Sequence, residues 1–152
     1  MTFQLVFALL AIVPESQAQK SVRELEERLR PFPPAEVISE NLSLSRRHIR
    51  WLTDTHSTVP AHRRESYAAY AEQAERLNTV WSQLEYTVRL LKAARSQAFA
   101  RQLKERSSPE LESLLALTQG HIDYLEKVLG EEDFRAGRMP PPVPFWYFQW
   151  VN

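Results

Sequence analysis

The chain has 152 residues, 19 basic and 19 acidic side chains, and no cysteine. That size predicts one domain, and the zero net charge argues against a general binder of nucleic acid or anionic membrane. Disulfides, thiolate metal sites, iron–sulfur clusters and cysteine nucleophiles are excluded, and only 3 glycines argue against Gly-rich phosphate loops and turn-rich β architectures.

Residues Leu5 to Val13 form an uninterrupted apolar run closed by Pro14. It is far short of the ~20 residues a membrane-crossing helix needs. Ser16 and Ala18 then place small residues three and one positions before Gln19. A short apolar core with a small-x-small site reads as a secretory signal over 1–18, although no Lys or Arg precedes the run. The reading implies a secreted or periplasmic protein that holds together by packing alone. The competing readings are an N-terminal core helix that stays in the mature fold and an uncleaved membrane anchor.

Proline divides the rest, 19–139, into helices, because it lacks an N–H and pushes the preceding residue from the α region. Ser21-Val22-Arg23-Glu24 has capping-box spacing, so a short helix is expected from there to Arg30, with Val22, Leu25 and Leu29 inward. Pro34 suits the first turn of a second helix reaching about Thr53, with Ile38, Leu42, Ser45, Ile49 and Leu52 on one face. Thr53 to Pro60 reads as a polar loop. Between Pro60 and Pro109 there is neither Gly nor Pro, which predicts one long helix of roughly 70 Å at the α-helical rise. Tyr67, Tyr70, Ala74, Leu77, Trp81, Leu84, Val88 and Leu91 keep heptad spacing along it, and Arg95 then interrupts the seam with a stutter or bend. Ser108-Pro109-Glu110 starts a fourth helix, with Leu111, Leu115, Ile122, Leu125 and Leu129 inward and Gly130 as its cap. The fold expected is all-α: an antiparallel helical bundle, or an elongated helical hairpin around one long central helix. A coiled-coil partner for the long helix could be a second copy.

No catalytic constellation stands out. No serine or threonine sits in a strand–Gly turn–helix elbow, and Glu24/Glu27 and Glu110/Glu112 read as solvated or dipole-complementing acids. Asp54, His56, His62 and Glu65 are the nearest approach to a metal set, but lack di-iron or His-Glu-x-x-His spacing. No catalytic residue, metal or cofactor is therefore expected. Asn41-Leu42-Ser43 matches a glycosylation sequon inside a helix, which reads as coincidence. Arg89, Lys92, Arg95, Arg101 and Lys104 make a basic segment, and the acids from Glu110 to Asp133 make an acidic one. The two are expected to answer each other across the hairpin; otherwise the basic one is left free for a polyanion.

The final segment, 140–152, combines Pro140-Pro141-Pro142-Val143-Pro144 with Phe145, Trp146, Tyr147, Phe148 and Trp150. It reads as extended polyproline II leading into an aromatic cluster that something must cover, either a groove on the bundle or a docking partner. The function expected is that of an exported, non-enzymatic helical protein acting through protein–protein contacts as an adaptor, chaperone-like binder or assembly factor. The partner is a protein, a second copy included, with no specific nucleic acid. The runner-up is an envelope-associated module that contacts lipid or polyanion through the basic segment and aromatic tail.

Overall fold

The computed structural model describes residues 15–100 and 108–144. Among them the chain is helical, with five packed α-helices and no strand: α1 (Gln17–Leu29), α2 (Ala35–Thr55), α3 (Arg64–Ala98), α4 (Pro109–Leu129) and α5 (Glu131–Ala136). Residues 1–14 of the expected signal segment 1–18, Arg101, Lys104 and the aromatics Phe145 to Trp150 lie outside the described residues, while Ser16, Gln17 and Ala18 of that segment cap and begin α1.

Helix ends follow local chemistry. The Ser16 hydroxyl accepts from the Gln19 backbone N–H at 3.1 Å, and the Gln19 side-chain oxygen accepts from the Ser16 N–H at 3.1 Å. This reciprocal cap starts α1 well before Ser21, which lies in the helix interior. Ser16 and Gln19 carry the same spacing as the box expected at Ser21. Starting there puts Ala18 and Gln19 into the core, at 6% and 4% exposure. Pro31 and the two prolines after Phe32 separate α1 from α2, whose N-cap is Pro34. Two 3-10 turns, His56–Thr58 and Ala61–Arg63, join α2 to α3. The Ser108 hydroxyl caps α4 by accepting from the Leu111 N–H at 3.1 Å, with Pro109 in its first turn. Gly130 and Gly137, both at positive φ, end α4 and α5.

Packing centres on α3. α2 and α4 lie along it, α1 touches both α3 and α4, and α5 touches α4. Ser45 meets Asn78, His48 meets Tyr70 and Leu52 meets Tyr67, so α2 and α3 run in opposite directions. Gln19 and Glu26 of α1 likewise meet Ala98 and Arg95 of α3. α1 and α2 therefore follow one another along α3, their 13 and 21 residues nearly matching its 35. α5 covers the joint between them: Phe134 meets the Phe32 ring edge-on at 5.4 Å, and Gly137 abuts the Pro31 carbonyl. The main core joins Val22, Ile38, Leu42, Leu84, Leu111, Ile122 and Leu125; a smaller one holds Leu52, Tyr67, Tyr70 and Ala74 near the α2–α3 turn.

The heptad reading of α3 holds through the buried Leu91 and then shifts to Ala94 and Ala98, with Thr87 joining the core beside it. Thr87 and Ala94 are fully buried while Val88 is half-buried and Arg95 exposed, because towards its C-terminal end α3 packs against α1 and α4 rather than α2. Thr87 tolerates burial because its hydroxyl donates to the Gln83 carbonyl at 2.7 Å, and a satisfied polar group carries little penalty inside a core. The polyproline segment begins on the bundle. The Trp81 indole N–H donates to the Pro140 carbonyl at 3.1 Å, and Pro144 is fully buried.

Candidate protein-contact surface

α4 carries two apolar lines. The inward line runs through Leu111, Leu115, Thr118, Ile122, Leu125 and Leu129, as heptad spacing requires. One residue back along each step lies a second line: Leu114, Leu117, His121, Tyr124 and Val128. Leu117, Tyr124 and Val128 are 45%, 51% and 45% exposed, too open to count as core. Tyr86 of α3, also exposed, meets the His121 ring edge-on at 4.9 Å and widens the patch. The Gln83 amide nitrogen lies 2.6 Å from His121 Nδ1 and fixes that ring. From Ser113 to Ile122 there is no Asp, Glu, Lys or Arg on any side of the helix. A solvated helix face normally carries charge, and the middle of this one is apolar and uncharged, with Glu110 and Lys127 towards its two ends.

The end near the α2–α3 turn is polar inside. His48 is buried with Nε2 2.8 Å from the Tyr70 hydroxyl, and its ring stacks on Trp51 at 5.8 Å. Burial holds its pKa below the usual value of 6.5 and keeps the ring neutral. The Tyr67 hydroxyl donates to the Leu52 carbonyl. Two open clefts flank this end, one of about 290 Å³ at His56 and Glu75 and one of about 410 Å³ at His62 and Arg63. Tyr67 lines both, but its hydroxyl is engaged in tying the helices together. No group of three metal-ligating side chains occurs among the described residues, so Asp54, His56, His62 and Glu65 are not gathered into one.

Of the basic segment, Arg89, Lys92 and Arg95 are described, and neither Arg89 nor Arg95 pairs with α4. Arg89 pairs with Glu85 of its own helix, and Arg95 reaches Glu26 of α1 at 2.6 Å while lying over the Phe99 ring at 4.7 Å. No ion pair between described residues joins α3 to α4. Two acids of α4 are answered from α1: Arg28 contacts Asp123 at 2.8 Å and Glu126 at 2.7 Å. Partial burial works against its charge, but these two hydrogen bonds outweigh it and raise the pKa. The pairing differs because α1 lies against both partners, a placement that charge counts along the chain do not encode. Lys92 is exposed, as expected, and makes no ion pair among the described residues. Glu24, Glu27, Glu110 and Glu112 are not part of any buried cluster, and Asn41 sits inside α2 beside the fully buried Leu42.

Searches against known protein families, curated proteins and solved structures found no match for this chain. No described helix is long and apolar enough to cross a membrane.

Proposed function

We propose that this chain is a non-enzymatic helical protein that works through protein–protein contact, with the outer face of α4 as its contact surface. The observation that carries the reading is the exposed line Leu117, Tyr124 and Val128, on a face whose middle, from Ser113 to Ile122, carries no charge. The three side chains are about half exposed, so each forgoes on the order of 1 kcal/mol of further burial, which a partner helix would recover. In this reading α3 is the spine of an antiparallel helical arrangement. Export belongs to the same proposal and rests on the apolar run and small-residue site before Gln19. The lipid or polyanion alternative draws less support, since Arg89 and Arg95 are already ion-paired.

A photocrosslinking residue placed at Leu117 in the full chain, expressed in its host, tests the reading. A covalent protein adduct is expected there and not from the same group at Lys92. Absence of any adduct at both Leu117 and Tyr124 would refute it.

A further inference from the structure

The outer face of α4 has a regular alternation in size and charge. Glu110, Leu117 and Tyr124 recur every seventh residue, and so do Ser113, Gly120 and Lys127. All six lie on the side of α4 away from the buried line of Ile122, Leu125 and Leu111. One series is large or acidic; the other is small or basic.

Gly120 has no reason within the chain to be glycine. It sits mid-helix with ordinary negative φ, and a Cβ built on it meets nothing within 4 Å. A helical glycine is less stable than alanine at the same place, and on an exposed face its absent side chain lets another backbone come close. Glu110 and Lys127 are both exposed, and neither forms an ion pair among the described residues.

From this pattern we infer that the occupant of the face is a second copy of this chain, docked with its α4 antiparallel to the first. The inference rests on the contact surface proposed above and names its partner. Let a two-fold axis pass midway between Leu117 and Gly120. Each Leu117 then faces the partner's Gly120, each Tyr124 faces the partner's Ser113, and each Glu110 faces the partner's Lys127. One register matches large to small twice and acid to base once, and the symmetry repeats every match. A coiled-coil seam alternates its two heptad series across the partner in this way, and an isologous dimer requires self-complementarity of this kind. A parallel arrangement in register would instead set Tyr124 against Tyr124 and Lys127 against Lys127.

The test uses the full chain and measures mass against concentration by light scattering or sedimentation. A monomer–dimer equilibrium is expected. Glu110→Lys and Lys127→Glu each weaken it about tenfold, the effect expected for turning two surface ion pairs into repulsions. The double variant Glu110→Lys/Lys127→Glu recovers dimerisation, because the swapped charges face each other again. Gly120→Leu abolishes the dimer while leaving the monomer as thermostable as the parent or more so, an outcome a merely structural role would not give. A monomer at every concentration, or charge effects that add in the double variant, would overturn the inference. The Leu117 crosslink separates it from the broader reading. An adduct of twice the chain mass supports the second copy, an adduct of another mass overturns it while leaving the contact surface standing, and no adduct at either Leu117 or Tyr124 overturns both.

Discussion

Replacing Gly137 with alanine puts a methyl carbon 2.8 Å from the Pro31 Cβ and closer still to the Pro31 carbonyl carbon and oxygen. The carbonyl atoms are backbone, so no rotamer change relieves the overlap; either the loop joining α1 to α2 or the end of α5 must move. Gly137 also sits in the left-handed region, at a φ of 69°. A residue with a Cβ pays about 1–2 kcal/mol to adopt that conformation. Any displacement pulls Phe134 from its edge contact with Phe32, and such a contact is worth about 0.5–1.5 kcal/mol beyond area burial. Together these give a loss of about 2–4 kcal/mol, or a fall in melting temperature of about 5–15 °C for a chain of this size. Thermal and urea unfolding, followed by circular dichroism, would read it. Gly120→Ala is the matched control, because its site is helical and open. At low protein concentration it should stabilise by about 0.5–1 kcal/mol. If Gly137→Ala melted within a degree or two of the parent, the contact between α5 and Pro31 would be wrong.

Leu84 is fully buried at the centre of α3. Leu84→Asp should therefore cost several kcal/mol, whereas Lys92→Asp on the solvent side should cost less than about 1 kcal/mol. Matching melting temperatures for the two would show that the seam is misplaced. His48 is held neutral below its ordinary 6.5, so the unfolded chain binds its proton more readily. Its contribution is fully present above that ordinary value and is lost as pH falls toward the folded one. His48→Gln should flatten that part of the stability–pH curve, and an unchanged slope would contradict it. A chain beginning at Gln19 lacks the Ser16 cap and the buried Ala18. It should unfold at lower urea than one beginning at Glu15, by about 1–2 kcal/mol for a lost N-cap. Deleting Pro144 to Asn152 removes a fully buried proline and five aromatics. The melting temperature should fall by many degrees, and no change would mean that the tail lies off the bundle.

Much of the helical pattern was readable because it is local. The 4-3-4-3 spacing from Ile38 to Leu52 marks the face of α2 that packs on α3, and Ser108-Pro109 states the start of α4 outright. α5 is not legible in this way because six residues hold no period, and its place rests on Phe134 reaching Phe32 across the fold. The partner of Asp123 and Glu126 is hidden for a similar reason: Arg28 is distant in the chain and arrives only when α1 docks. The outer face of α4 had a visible signal, the charge-free stretch from Ser113 to Ile122. It is broader than one buried stripe needs, but without knowing which line faces inward, surplus apolar residues pass as core.

The side-chain amide of Gln19 donates to the carbonyl of Ala98 at 3.2 Å, a buried bond between residues 79 apart in sequence. The long separation bears on when α1 can dock as well as where. α2 and α3 are joined by a short turn and carry a small core of their own, so they meet at little loop-closure cost. α1, made earlier, must wait with Val22, Leu25 and Leu29 uncovered until the far end of α3 exists to receive it. The first of the described helices to be synthesised is thus among the last to find its place. During that interval the apolar face of α1 stays open to solvent, and to the secretory machinery if the chain is exported as proposed.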